Sequence, residues 1–175
     1  MSEEKKDNWL GYVATTTILF AVCATLATFK GGQHSTRAVL SQSKATNQWA
    51  YYQAKDLKSY MHELSRDALE LSVLDAGKGA RPEAVRKKAE AYAAKIAKYE
   101  VQKEEIKKQA EAYDESIAQA QAHSGAFGMA IIFLQIAILL SSVSALMKRK
   151  QLWYGGMAVG AVGVLYFANG FFLFF

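Results

Sequence analysis

His34, His62, His123 and Cys23 are the residues of this 175-residue chain that, beside its carboxylates, could bind a metal or move a proton near neutral pH. If the chain doubles back near residue 78, His34 and His123 come together. No cysteine or carboxylate lies within a few residues of either, so they offer two ligands at most, and ordinary interfacial histidines are the favoured reading. His62, next to Glu63 and near Arg66, reads as a surface residue. Cys23 has no partner for an internal disulfide. The preceding "FAV" lacks the small residue that lipidation needs, so Cys23 reads as a buried small hydrophobe. The chain has no glycine-rich phosphate loop, nucleophile elbow or metal-ligand cluster. It is expected not to be an enzyme, with no catalytic residues, no metal and no cofactor.

The elements that would carry these residues are segregated by polarity. The chain is 51% hydrophobic, yet its mean hydropathy is −0.02 because the charges collect in one central block. Three apolar blocks surround it: Trp9–Phe29, Gly125–Met147 and Leu152–Phe175. Each exceeds the roughly 20 residues that a helix needs to cross about 30 Å of hydrocarbon. The expected fold is therefore all-α, an integral membrane protein with three transmembrane helices. The first block is read as a retained anchor and not as a cleaved leader. None of the three contains Asp, Glu, Lys, Arg or His, which argues against a coupled transporter. Thr15–Thr17, Gln135 and Asn169 are the polar handles inside them, and such residues commonly bridge helices.

The net charge of +5 does not point to nucleic acid. Lys148, Arg149 and Lys150 sit between two apolar blocks, where basic residues set orientation. Residues 148–151 are expected to form a tight cytoplasmic turn. The tail, residues 1–8, would then be cytoplasmic and residues 30–124 on the outer side of the membrane. Lys30, Arg37 and Lys44 oppose this orientation, but long loops translocate largely regardless of charge.

Within residues 30–124, Val85, Ala89, Tyr92, Ile96, Tyr99, Lys103, Ile106, Ala110, Tyr113, Ile117 and Ala120 alternate in steps of four and three. That is a coiled-coil seam interrupted by one lysine. Leu40, Ser43, Asn47, Ala50, Ala54, Leu57, Met61, Leu64, Ala68 and Leu71 match the same period more loosely. Gly77 and Pro82 provide a stop and a start for two helices. The expectation is an extramembrane antiparallel coiled-coil hairpin with arms at about 35–76 and 82–123. Leu71 would meet Val85, Leu64 Tyr92, Leu57 Tyr99, Ala54 Lys103, and Asn47 Ala110. The second arm's period continues through Ser124, Phe127, Ile131, Leu134 and Ile138, so arm and span could be one helix with a bend at "HSGAFG". On the other side, "KGGQ" is expected to break the first span from the first arm.

The stretch "ATNQWAYYQAKDLK" is too polar for lipid and too aromatic for a plain solvated helix. Trp49, Tyr51, Tyr52 and Tyr60 are read as lying beside the seam, either lapping over the partner arm or forming a second interface. A small-ligand cage is a third reading. The stretch resembles the signature of a bacterial family of small membrane proteins known only as a domain of unknown function. In that family an N-x-W-x-x-Y-Q-A-K core follows a first apolar span and a Gly-Gly break. The resemblance implies that Asn47, Trp49, Tyr52, Gln53 and Lys55 are marked positions; with Tyr51 and Tyr60 they form the candidate interaction set. It implies no activity.

Gly156, Gly160 and Gly163 provide small-xxx-small spacing for close helix packing in the third span. The expected function is a structural or accessory membrane protein, embedded in the lipid bilayer. It would assemble with itself or a larger membrane complex through the hairpin and the glycine-rich span. The alternative is an oligomeric channel or small-molecule transport component lined by Thr, Ser and Gly faces.

Overall fold

A computed structural model describes residues 4–75 and 83–174. The expected turn residues Gly77 and Pro82 lie outside them. Every element among the described residues is helical: α1 (Glu4–Asp75), α2 (Glu83–Met147) and α3 (Lys150–Phe172). All three contain stretches long and apolar enough to cross a membrane. The chain forms two compact units. One takes the residues up to Val39 and those from Ser116 onward; the other is Leu40–Glu115.

In the first unit the usual size order of a water-soluble core is reversed. Small residues sit inside: Ala24, Ala27, Ala130, Ala137, Gly156, Gly160 and Gly163 are buried. Large aliphatic side chains point out, among them Ile18, Leu19, Leu26, Leu139 and Leu165. Helices in lipid gain nothing hydrophobic from burying a leucine and are held by close backbone approach and dispersion contacts. This order is therefore the one that suits helices long and apolar enough to cross a membrane. A few rings fill the gaps that small residues leave. Phe20 packs with Ala24, Leu134 and Ala137, and Phe127 with Ala27 and Ala130.

Two expected interruptions are absent. α1 runs unbroken through Gly31 and Gly32, and α2 runs unbroken through "HSGAFG". The glycine pair does not break the helix, because Gly31 serves packing: a β-carbon there would sit 3.1 Å from the Phe127 β-carbon. The cost of glycine in a helix, about 1 kcal/mol relative to alanine, is offset by that approach. The basic turn is shorter than expected. It needs only Lys148, at φ 53°, and Arg149. The Ser144 hydroxyl donates to the Arg149 carbonyl at 2.8 Å and closes it.

In the second unit the heptad row read on α2 is correct. Ile106 and Ala110 are buried, and Val85, Ala89, Tyr92, Ile96, Tyr99, Lys103 and Tyr113 are half-buried. The row read on α1 is not. Leu57, Leu64 and Leu71 are 61%, 60% and 64% exposed, and Asn47, Ala50, Ala54 and Met61 are exposed as well. α1 covers a different row: Ser41, Ala45, Gln48, Tyr52, Lys55, Ser59 and His62, again in alternating steps of four and three. Bulk on α2 packs against small or polar residues on α1. Near the end of α1 it is Leu69, not Leu71, that shares a cleft with Val85 and Ala89.

Candidate interaction site

The "NQWAYYQAK" stretch occupies two turns of α1, and helical rotation divides its residues between two faces. Trp49, Tyr52 and Lys55 reach α2. The Trp49 indole N–H donates to the Asp114 carboxylate at 3.1 Å, and its ring meets Tyr52 edge-on at 5.8 Å. Tyr52 lies on the covered row itself, not beside it. Lys55 donates to Gln102 at 2.9 Å and places its ammonium 5.4 Å from the Tyr99 ring and 5.1 Å from the Tyr51 ring. Gln48, which the signature leaves unspecified, donates to Gln109 at 3.1 Å. Asn47, Tyr51, Gln53 and Tyr60 are exposed. Asn47, expected to meet the buried Ala110, is thus on the exposed side of α1, and Gln48 lies on the covered row instead.

The lysine that interrupts the α2 row has a structural reason to be there. Lys103 is only 12% exposed, and its Nζ lies 2.6 Å from Asp56 and 2.9 Å from Glu100. Its ammonium also stands 5.6 Å from the Tyr52 ring. Ser59, 2% exposed, donates to Glu100 at 3.1 Å. Hydrogen bonds from Asp56 and then Glu100 raise the Lys103 pKa above the ordinary lysine range, against an opposing effect of burial. Ala54, the expected neighbour of Lys103, is exposed; Asp56 and Tyr52 take its place. His62 is not a plain surface residue either. It stacks on Tyr92 and Tyr99, with ring centroids 5.5 and 5.8 Å away.

His34 and His123 do meet, stacked with centroids 4.6 Å apart. His123 Nδ1 lies 2.8 Å from the Gly170 carbonyl; a carbonyl only accepts, so that nitrogen carries the proton. The pair thus joins α1, α2 and α3. Burial, His123 and the cations Arg37 and Lys30, in that order, lower the His34 pKa. Parallel stacking aims the ring nitrogens past each other and not at one shared point. Among the described residues no group of three or more metal-capable side chains forms.

The third-span glycines face the chain's own helices. A β-carbon on Gly160 would strike the Phe20 ring, and one on Gly163 would lie 2.9 Å from Leu134 Cγ and 3.0 Å from its backbone nitrogen. Gly156 would meet Ser141 and the Ala137 carbonyl at 3.1 and 3.2 Å. Thr15, Thr16 and Thr17 bond back to carbonyls of their own helix, and Thr16 also accepts from the Trp153 indole at 3.2 Å.

The polar network of Asp56, Ser59, Glu100 and Lys103 escaped sequence reasoning. The lone lysine in an apolar heptad row was its one signal. No curated protein and no solved structure matches the chain. A family model described as a domain of unknown function (DUF4337) matches residues 9–173, and the chain belongs to that family.

Proposed function

We propose that this protein is a structural or accessory membrane protein: three membrane-crossing helices anchor an antiparallel helical hairpin through which the chain assembles. The observation that carries this reading is the series Lys44–Tyr113, Gln48–Gln109, Lys55–Gln102, Ser59–Glu100 and His62–Tyr92. Positions rise along α1 while their partners fall along α2, which supports a chain folded back on itself. This stretch is rich in charge, whereas both neighbouring segments are apolar, which supports placing it outside the bilayer. The basic pair at the α2–α3 turn supports a cytoplasmic turn and a periplasmic hairpin in a bacterial inner membrane.

Assembly is assigned to the hairpin and not to the third span, because the glycine faces of α3 are already filled by Phe20, Leu134 and Phe127. The channel reading has less support: the Thr15–Thr17 hydroxyls are engaged by their own helix. The test is gentle extraction of the full chain, followed by crosslinking and mass spectrometry. Self-links or links to other membrane subunits through residues 40–115 are expected. A monomer without any partner overturns the reading.

A further inference from the structure

The row Leu57, Met61, Leu64, Ala68 and Leu71 lies on the side of α1 turned away from α2 and is exposed throughout. The covered row holds Lys55, Ser59, His62, Arg66 and Leu69. Leu57 and Leu64 fall midway between neighbours of that row in sequence and Leu71 two residues past Leu69, each about half a helical turn round. With Tyr60, also 61% exposed, the outer row presents on the order of 500 Å² of apolar surface. That is the scale of a functional patch, and a substantial part of the roughly 800 Å² per partner of a standard interface. Asp56, Lys58, Glu63, Asp67 and Glu70 surround it, too many charges for the row to rest in lipid. Its occupant is therefore a protein surface in water.

The spacing says which kind. Steps of four and three recur from Asn47 through Ala50, Ala54, Leu57, Met61, Leu64, Ala68 and Leu71, so the occupant is a helix with the same period. Numbered as heptads, the leucines 57, 64 and 71 all fall at d, one of the two core positions of a coiled coil. Asn47 falls at a, where a single asparagine specifies register and strand number. Flanking positions that would meet across a parallel pair are Gln53 with Lys58, Tyr60 with Ser65 and Asp67 with Ser72; none brings like charges together. α2 offers no rival surface: between Glu83 and Glu115 the only exposed large hydrophobic side chain among the described residues is Val101. Two copies inserted in one membrane share an orientation, which a parallel pairing requires.

From this placement we infer that the outer face of α1, centred on Leu57, Leu64 and Leu71, is the contact through which a second copy of this chain docks in parallel to form a homodimer. The inference rests on the assembly reading above and gives it a partner and a surface.

The test uses the full chain in its membrane with Cys23→Ala, adding one cysteine at a time: Leu57→Cys, Leu64→Cys, Leu71→Cys, and Val101→Cys as a control. Mild oxidation should give a covalent dimer of twice the chain mass with each of the three leucine variants. The yield should be at least tenfold above that of Val101→Cys. Because these leucines are exposed, their replacement leaves the fold intact. The inference is overturned if the three variants crosslink no better than the control, or if the adduct carries a different protein. It is equally overturned if Leu57→Cys links only to Leu71→Cys in mixed samples, which marks an antiparallel pair. The mass of the unmodified chain in mild detergent separates the two readings. An assembly whose leucine variants do not crosslink removes this surface alone, whereas a partnerless monomer removes the assembly reading with it.

Discussion

The Trp49 indole reaches the Asp114 carboxylate across 3.1 Å, so the most conspicuous ring of the chain is tied to α2 by its polar edge. Trp49→Phe keeps a ring and loses the bond. It should destabilise the Leu40–Glu115 unit by about 1 kcal/mol, the ordinary size of one hydrogen bond. Trp49→Ala, which also loses the contact with Tyr52, should cost more. Thermal melts followed by helical circular dichroism check this: helicity at low temperature stays unchanged and the midpoint falls in the order Phe, then Ala.

Lys103 and its two carboxylates should respond unequally to substitution. Asp56 and Glu100 are more than half exposed, so removing the lysine leaves them hydrated, and Lys103→Met should cost less than about 1 kcal/mol. The double change Asp56→Asn with Glu100→Gln strands a nearly buried ammonium. It should cost about 2 kcal/mol, below the 3–5 kcal/mol of a fully buried pair because the carboxylate side is solvated. The raised Lys103 pKa favours the charged form when folded. Its contribution is therefore complete below the ordinary lysine value of about 10.4 and is lost only above it. Denaturant titrations of the three forms at pH 7 and pH 10 should rank them in the same order.

How far these features were legible in the sequence differs between the two helices of the seam. On α2 the buried row coincides with the apolar row, so period alone located it. On α1 the most apolar row is the exposed one, and the covered row contains Ser41, Ala45, Gln48, Lys55 and Ser59. Heptad reading ranks positions by hydrophobicity, whereas this contact selects for size: tyrosines and isoleucines on α2 need small or hydrogen-bonding neighbours. The same confusion of propensity with packing produced the expected break at Gly31. A glycine that weakens an isolated helix here admits Phe127. The His34–His123 meeting was legible because it follows from the pairing register alone, which Lys44–Tyr113 and Gln48–Gln109 also keep, and not from which row of α1 is covered.

Acid should loosen the junction that those histidines form. His34 has a lowered pKa in the folded chain, so its neutral form is the one that folding favours. That stability is present above the unfolded value of about 6.5 and declines as pH falls through it. The groups facing it are His123 and Phe127 from α2 and Arg37 and Lys30 on its own helix; the Gly170 carbonyl of α3 is held by His123. Melting midpoints between pH 7.5 and pH 5 should fall for the parent chain. His34→Phe, which keeps a ring in the stack, should flatten that slope.

Gly163→Ala should damage the packing of the third span. Its β-carbon would press on the Leu134 backbone nitrogen at 3.0 Å, and backbone cannot swing aside. The expected loss is about 1–3 kcal/mol, the usual cost of overpacking. At Gly155 nothing lies within 4 Å, so Gly155→Ala should be neutral to stabilising, by up to about 1 kcal/mol. Detergent-resistance melts of the two variants compare them directly.

The central claim is that the charged middle of the chain folds back so that α1 pairs with α2 in reverse order. Intramolecular crosslinking of Gln48→Cys with Gln109→Cys, in a Cys23→Ala background, tests it most directly. The two glutamine side chains meet end to end at 3.1 Å, so a short bis-maleimide crosslinker should join the two cysteines within one chain. The product is seen as the mass of one chain plus the linker, with altered mobility that is absent when either cysteine is missing. A bond that forms only between two chains, or no bond at this pair while Gln48→Cys links to another position, would contradict the account.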